Sequence, residues 1–238
     1  MHKVWKKWDI DDEIKDILND SPNVILPKDR AEILNLATDN GRDIFDVEYD
    51  IGNGKMFKEA VVVKCKNGLA VNYVDKEMRR RDPDCLFIGD ASETDKQRFE
   101  DVYKEKFPVL RKKTFEWLKN QELIVIGINI GGEQTSLKGL VIAPANAGFF
   151  VGAIGDLQGF FDVSELKKGF RPASILYLAP VFRHTYFNGK QIVVHNRQKF
   201  VHEIFSYNLY PGPSAKKGVY GVLLQKGEKE DWLTLHAS

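Results

Sequence analysis

Two adjacent lysines, Lys216 and Lys217, stand where a helix is expected to begin. The proline-rich run 211–213 disfavours a helix, whereas Ser214 is a good N-cap for a helix over residues 215–225. The helix dipole disfavours cations in the first turn, so an anion or a metal-bound anion in front of the lysines would rationalise them. The alternative is two solvated lysines on a frayed turn, which cost only a few tenths of a kcal/mol each.

A second group of cations lies in the middle of the chain, where three arginines, 79–81, precede Asp82 and Pro83. A turn that contains Pro83 would present at least one guanidinium outward at a strand boundary. Arginine binds a carboxylate bidentately and keeps its charge, so this turn suits a small dicarboxylate or a phosphate. The alternative is a solvated basic turn whose arginines pair with Glu77, Asp82 and Asp84.

Two other polar motifs are better explained by structural roles than by metal or phosphate binding. His184, His195 and His202 are spaced too widely along the chain for one helical or strand pair of metal ligands, and we interpret them as hydrogen-bonded polar residues that could line a cleft. The segment 129–133 is rich in glycine but lacks the lysine of a phosphate loop, so it is predicted to be a turn at the end of a strand.

Composition gives no reason to expect a highly charged partner and favours a reducing compartment. With 35 basic and 34 acidic side chains, the net charge of +1 gives no reason to expect a nucleic acid or an anionic membrane as partner. Cys65 and Cys85 are too few for a disulfide framework, and neither an apolar leader nor a stretch of membrane-spanning length is present. We therefore expect a cytoplasmic protein.

The elements that must position these residues alternate between helices and strands. Helices are predicted over residues 9–18, 29–38, 94–107, 109–121, 145–157, 163–168 and 215–225. Strands are predicted over residues 44–49, 56–65, 69–74, 86–88, 123–130, 138–143, 174–179 and 191–195 and at the end of the chain, and residues 201–208 are ambiguous. Without repeats or linkers, the pattern predicts one mixed α/β (α+β) domain over residues 1–238, with a helical preface of about residues 1–42 and a mixed sheet flanked by helices.

Two separate patches of the sequence resemble ATP-dependent phosphoenolpyruvate carboxykinases. The run Tyr210-Pro-Gly-Pro-Ser-Ala-Lys-Lys-Gly, followed by Leu-Thr-Leu-His236-Ala-Ser, resembles that family's Tyr-Ala-Gly-Glu-Met-Lys-Lys-Gly, apolar helix and Met-His-Cys-Ser, although Pro-Ser-Ala replaces Glu-Met before the lysines. Residues 67–72, 79–84 and 86–88 resemble its apolar strand, Gly-Arg-Ser-Pro-Lys-Asp turn and next strand. The chain is also similar to a large bacterial family of unknown function that is described as carboxykinase-like.

The resemblance implies a role for five residues. Arg81 matches the arginine that holds the substrate carboxylate, Tyr210 the tyrosine whose ring contacts the substrate, and Lys216 the lysine that faces the carboxylate or carbon dioxide. Lys217 and His236 match two ligands of a divalent metal, manganese or magnesium. A lysine can bind a metal only as a neutral amine.

The resemblance also implies a fold and a reaction. The chain would be the N-terminal, substrate-side domain of a lyase that decarboxylates oxaloacetate and transfers a phosphoryl group from ATP or GTP to the enolate, forming phosphoenolpyruvate. No Gly-x-x-x-x-Gly-Lys-Ser/Thr motif occurs in these 238 residues, so the nucleotide would belong to a C-terminal nucleotide-binding domain. The resemblance implies that the third metal ligand, an aspartate, lies in that domain too, and we expect the chain alone to be inactive.

Two other functions remain open at this point. The chain could be a non-catalytic ligand-binding or scaffold domain that keeps the fold after its site has drifted. It could also serve a different phosphoryl transfer, because carboxykinase-like nucleotide domains also occur in protein kinases that act on phosphocarrier proteins. The arginine at the substrate side argues mildly against the second possibility.

Overall fold

The protein is described by a computed structural model. The residues that the structure describes are 3–37, 44–50, 54–65, 68–73, 86–89, 106–131, 137–179, 192–196, 201–207, 219, 221–223, 226–227 and 230–231. They form a mixed α/β fold with a large mixed sheet, helices on both of its faces and a second sheet of three strands. None of the described helices is long and apolar enough to cross a membrane.

The helices and strands alternate along the chain as follows. The helices are α1 (Asp12–Asp20), α2 (Arg30–Ala37), α3 (Phe107–Lys119) and α4 (Gly148–Gln158), with 3-10 turns at Val4–Lys7, Ala145–Ala147 and Val163–Glu165. The strands are β1 (Val24–Ile25), β2 (Ile44–Asp50), β3 (Met56–Cys65), β4 (Gly68–Tyr73), β5 (Leu86–Gly89), β6 (Leu123–Ile130), β7 (Leu137–Pro144), β8 (Phe160–Phe161), β9 (Ser174–Ala179), β10 (Ile192–Asn196) and β11 (His202–Tyr207).

The large sheet has the strand order β1-β6-β7-β9-β11-β10-β5, and β8 pairs with β6 outside this path. Strands β7, β9 and β11 run parallel to one another, β6 is antiparallel to β7, and β10 is antiparallel to β11. The edge strands β1 and β5 run parallel to their neighbours β6 and β10. The smaller sheet is an antiparallel meander of β2, β3 and β4.

Both faces of the large sheet are buried, which is why its central strands are apolar at nearly every position. Strand β6, with the sequence Leu-Ile-Val-Ile-Gly-Ile-Asn-Ile, is buried at all but one of its residues. One core contains side chains of α1 and α3, and the other contains side chains of α2 and α4 together with Val219 and Val222. Alternate residues of each strand therefore belong to different cores.

Most of the predicted elements are confirmed within the described residues. The structure contains the meander over residues 44–73, the buried strand at 123–130 and the helix that ends before Gly159. Gly159 has a φ of +80°. The ambiguous segment 201–208 contains a strand, β11. Strand β1 lies within the helical preface and was not predicted, while residues 94–105 and 232–238, where a helix and a strand were predicted, lie outside the described residues.

The predicted start of a helix at residue 109, directly after Pro108, is wrong, because the proline belongs to the helix and does not precede it. Helix α3 begins at Phe107, and Pro108 lies in its first turn. The fixed φ of proline suits this position, where its missing N–H would have no partner inside the helix. Pro108 therefore helps to begin the helix that packs on the large sheet.

The close contact between Gly127 and Phe161 gives a test of the packing of β6. A Cβ built on Gly127 would lie 2.2 Å from Cε2 of Phe161, so Gly127→Ala is expected to lower the free energy of unfolding by about 1–3 kcal/mol. Urea unfolding measures this loss. In a Phe161→Ala background the added cost of Gly127→Ala should shrink, because the ring that it strikes is gone.

Gly155→Ala is the matched control. Its added Cβ would meet Ile126 Cδ1 at 3.5 Å, an ordinary contact distance, and alanine is favoured over glycine inside a helix. Gly155→Ala should therefore leave the free energy of unfolding unchanged or raise it. Equal losses for the two variants would contradict the assigned role of the Phe161 ring.

Candidate functional site

Four strands of the large sheet meet at one row of paired residues. Leu86 pairs with Ile192, Ile192 pairs with Tyr207, and Tyr207 pairs with Ala179. Strands β5 and β10 begin at this row, while β9 and β11 end at it. We call the row of Leu86, Ile192, Tyr207 and Ala179 the Tyr207 edge. Ligands of open α/β sheets commonly bind beyond the carboxyl ends of parallel strands, and β9 and β11 present such ends here.

The five site residues predicted from the sequence, Arg81, Tyr210, Lys216, Lys217 and His236, lie outside the described residues. In the sequence, Arg81 precedes Leu86 by five residues and Tyr210 follows Tyr207 by three residues. Leu86 and Tyr207 are two strand spacings apart, about 10 Å.

The segment that follows the two lysines packs on one face of β10 and β11. Residues 219 and 221–223 are helical, which agrees with part of the helix predicted from residue 215. Val219 and Val222 are buried in the same core as Val193 and Ile204. A Cβ built on Gly221 would lie 3.0 Å from Cε1 of His195, closer than Cβ atoms usually come to a neighbour, so the helix packs tightly on this ring.

Two histidines meet on this face. Nδ1 of His195 lies 2.8 Å from Nε2 of His202, and the two rings are 5.0 Å apart at their centres. His195 is 3% exposed and His202 is half-buried. Both residues are hydrogen-bonded, as interpreted from the sequence, but their spacing along the chain gave no sign that they form a pair. Antiparallel pairing of β10 with β11 brings them together by placing His195 opposite Ile204, two residues from His202.

The opposite face of the same strands contains a buried ion pair. Arg111 of α3 donates from Nε and Nη2 to the two carboxylate oxygens of Glu203, at 2.8 Å each. Asn196 Nδ2 donates to Glu203 Oε2 at 2.8 Å, and Arg111 Nη1 donates to Oε2 of Glu13 at 2.7 Å. Glu203 is fully buried. Bidentate pairing with these additional hydrogen bonds is what a charge removed from water requires.

Burial and charge act in opposite directions on this network. Burial by itself lowers the pKa of Arg111, but the hydrogen bonds and charges of Glu203 and Glu13 outweigh it, so its pKa stands above the ordinary value. Burial raises the pKa of Tyr177, whose Oη lies 3.5 Å from Oε1 of Glu203, and the charge of Glu203 raises it further. Arg111 stays positive and Tyr177 stays neutral at ordinary pH, so we assign this network a structural role.

The network also extends towards the Tyr207 edge. Thr114 Oγ1 donates to the carbonyl of Leu110 at 2.8 Å and therefore accepts from Tyr207 Oη, also at 2.8 Å. Thr114 and Tyr207 are both buried. Helix α3 thus fixes the last residue of β11, three residues before Tyr210.

A separate cleft of about 270 Å³ lies between α2 and α4. It is lined by Arg30, Ile33, Leu34, Gly152, Gly155, Asp156, Gly159 and Phe160. Arg30 donates to both carboxylate oxygens of Asp156, at 2.7 and 2.8 Å, and this hydrogen bonding is the main reason that the pKa of Asp156 is lowered. Because the two charges neutralise each other, the cleft offers little to an anion.

Among the described residues, no three or more histidine, cysteine, aspartate or glutamate side chains are grouped so that they could hold a metal ion. We take the Tyr207 edge as the candidate site because four strands begin or end at this row.

Comparison with known proteins gives one family. The model of a family described as a domain of unknown function (DUF4914) matches residues 10–238. The matched range includes all five site residues predicted from the sequence. No curated protein matches the chain.

Removing the carboxylate of the buried ion pair should destabilise the fold. Glu203→Gln leaves the Arg111 cation buried, and among the described residues its remaining ion-pair partner is Glu13, whose side chain is 58% exposed. We expect the free energy of unfolding to fall by about 3–5 kcal/mol, measured by urea unfolding. Lys112→Ala, which removes an exposed charge from the same helix, should change it by less than about 0.5 kcal/mol.

The double variant Arg111→Met/Glu203→Leu separates the charge from the packing. It replaces both ions with apolar side chains, so its loss of unfolding free energy should be smaller than that of Glu203→Gln. A double variant that is less stable than Glu203→Gln would contradict the view that an unpaired buried charge is the main cost.

Alkaline pH should destabilise the fold through Tyr177. Its pKa in the folded protein is raised well above the ordinary value of 10.0, chiefly by burial. The stability contributed by its bound proton is therefore complete below about pH 10 and is lost as the pH rises above that value. Urea unfolding between about pH 8 and about pH 11 should show a shallower decline for Tyr177→Phe than for the unchanged protein. Identical declines would argue against this assignment.

Proposed function

The chain belongs to the DUF4914 family of domains of unknown function, and we propose that it is the substrate-side domain of a phosphoenolpyruvate carboxykinase-like protein. In this proposal the Tyr207 edge binds a small dicarboxylate such as oxaloacetate, or phosphoenolpyruvate. The nucleotide is supplied by a separate nucleotide-binding domain. The two sequence patches around Arg81 and around residues 210–236 motivate the assignment.

The observation that supports the proposal is the register of the strands at the Tyr207 edge. The two patches lie more than a hundred residues apart in the sequence, yet one immediately precedes β5 and the other immediately follows β11. The pairing of Ile192 with both Leu86 and Tyr207 puts the start of β5 and the end of β11 at the same edge. A substrate clamp that uses Arg81 and Tyr210 together requires such a juxtaposition.

The helix that packs on His195 supports a position of the lysines near the same edge. Gly221 packs on His195, and Lys217 precedes Gly221 by four residues in the sequence. His195 is three residues along β10 from Ile192 of the Tyr207 edge, a separation of about 10 Å. We therefore propose that the two lysines face this edge.

The proposed roles follow from the chemistry of each side chain. Arg81 holds a substrate carboxylate bidentately, the ring of Tyr210 contacts the substrate, and Lys216 faces the carboxylate that leaves as carbon dioxide. Lysine and arginine charges at this edge would stabilise the negative charge that the enolate carries after decarboxylation.

Lys217 and His236 would hold a divalent metal, manganese or magnesium. When bound, the metal would supply positive charge that polarises the substrate oxygens. The donor set fits a transition metal better than magnesium, because both ligands are nitrogen atoms and magnesium prefers oxygen. Since lysine binds a metal only after losing its proton, and two protein ligands are fewer than a closed site uses, we expect weak binding by this chain alone.

Isothermal titration calorimetry tests the proposal directly. The purified chain, titrated with oxaloacetate or phosphoenolpyruvate in the presence of manganese, should give saturable heat. Arg81→Ala and Lys217→Ala should weaken the binding by about tenfold or more, equivalent to about 1.4 kcal/mol, because each removes a charged or metal-binding side chain from the proposed site. Lys112→Ala is the control. Lys112 is an exposed residue of α3, and α3 and the helical residues 219 and 221–223 pack on opposite faces of the sheet, so this variant should bind as the unchanged chain does.

Two results would contradict the proposal. Absence of heat with both ligands, or equal losses in Arg81→Ala and Lys112→Ala, would favour a scaffold domain whose site has drifted. Because the chain contains no phosphate-loop motif, we also expect no nucleotide-dependent carboxykinase activity from the 238 residues alone. Measurable activity would overturn the assignment of nucleotide binding to another domain.

A further inference from the structure

Four lysines are brought together where the N-terminal segment meets the loop before β9. The backbone N–H of Gly169 donates to the carbonyl of Lys7 at 2.8 Å, although the two residues are more than a hundred positions apart in the sequence. Lys6 precedes this hydrogen bond on one segment, and Lys167 and Lys168 precede it on the other. We call Lys6, Lys7, Lys167 and Lys168 the lysine corner.

Further contacts hold the two segments of the lysine corner together. The N–H of Asp9 donates to the carbonyl of Phe170 at 2.8 Å, and Arg171 Nε donates to Oδ2 of Asp9 at 2.9 Å. The ring of Trp8 meets the ring of Phe170 edge-on, with the ring centres 6.3 Å apart. Because backbone hydrogen bonds and ring packing join the two segments, the lysine corner is a fixed part of the fold.

The positive charge of the lysine corner is not balanced within the described part of the chain. Three of its side chains are exposed and that of Lys7 is half-buried, and none of the four forms an ion pair with a described residue. Of the nearby acids, Asp9 is paired with Arg171, Asp162 accepts from a backbone N–H, and Glu165 is exposed. Like charges held close together repel, so the arrangement costs stability.

The indole of Trp8 points to a partner of the same chemistry. Trp8 follows Lys7 directly and is 2% exposed, and its Nε1 has no hydrogen-bond partner among the residues that the structure describes. An indole N–H and a lysine ammonium can donate hydrogen bonds but cannot accept them. The unpaired groups of this region are therefore all donors, and their natural partner is a group of anionic acceptors.

The extent of the lysine corner favours a short acidic peptide over a longer polyanion. One exposed ion pair contributes little, so a partner has to offer several negative groups at once. The lysine corner extends over about 10 Å of backbone, the length of about three extended residues. Helix α1 begins shortly after it, and its exposed Asp12 and Asp16 would repel a nucleic acid or an anionic membrane that continued past the lysines.

We propose that the lysine corner is a docking surface for a short segment of a partner protein that is rich in glutamate or aspartate. The carboxylates of the segment pair with the lysines and relieve their mutual repulsion. The inference goes beyond the proposed function and does not depend on it, because the lysine corner shares no residue with the Tyr207 edge. Failure of one therefore leaves the other unaffected.

Fluorescence anisotropy with a labelled hexaglutamate peptide tests the docking surface in the full chain. The peptide should bind saturably at an ionic strength of about 0.05 M, and a hexaglutamine peptide should not bind. Raising the ionic strength to about 0.15 M should weaken the binding by about threefold or more, because salt screens exposed charges.

Paired variants test whether the lysine corner itself binds the peptide. Lys6→Ala/Lys7→Ala and Lys167→Ala/Lys168→Ala should each weaken the binding by about fivefold or more. Both should leave the midpoint of urea unfolding unchanged or raise it, because they remove repulsion between like charges. Lys106→Ala/Lys112→Ala is the matched control; it removes two exposed lysines elsewhere and should change the affinity by less than about twofold.

Three outcomes would overturn the docking surface. The first is no saturable binding of hexaglutamate at the lower ionic strength. The second is an equal loss of affinity in the corner variants and in the Lys106→Ala/Lys112→Ala control, which would mean attraction to the surface as a whole. The third is tighter, lysine-dependent binding of an oligothymidylate or of vesicles that contain phosphatidylserine, which would assign the lysine corner to a nucleic acid or a membrane instead.

Discussion

The buried ion pair between Arg111 and Glu203 is the interaction on which the arrangement of the large sheet depends. An ion removed from water costs several kcal/mol unless its partners are placed with good geometry. Glu203 meets this condition through two hydrogen bonds from Arg111 and one from Asn196, while Arg111 also contacts Glu13. One carboxylate therefore ties α1, α3, β10 and β11 into a single mutual arrangement.

The same constraint determines what lies on the other face of these strands. Successive residues of a strand point to opposite faces, so burying Glu203 beneath α3 places its neighbours His202 and Ile204 on the far side. A shift of one residue in the pairing of β11 would bury the histidine among the side chains of α3 and leave the carboxylate without Arg111. The register that pairs Ile192 with Tyr207 is therefore fixed by charge as well as by apolar burial.

The sequence predicts the elements of this fold better than their partners. Strand β6 and the β2–β4 meander follow from apolar runs and turn residues, whereas the two-residue strand β1 is too short to leave a pattern. Arg111 looks like one more surface charge on an amphipathic helix, and nothing within residues 109–121 indicates a buried partner in β11. The histidine pair was missed for the same reason, although two short apolar strands flanking a polar segment at 192–207 are a hairpin pattern that could have revealed it. The candidate site residues came from resemblance, and only their attachment to β5 and β11 can be related to the described strands.

The charges of the described core and of the cleft between α2 and α4 are already paired, which leaves little there for the anionic ligand of the proposed function. Arg111 and Glu203 neutralise each other inside the core, and Arg30 and Asp156 do the same at the cleft between α2 and α4. If either arginine moved towards a ligand, its carboxylate partner would be left unpaired, and this costs most free energy where the carboxylate is buried. A dicarboxylate bound as proposed would therefore need other cations, and the sequence contains three arginines, 79–81, before β5 and two lysines, 216 and 217, after β11.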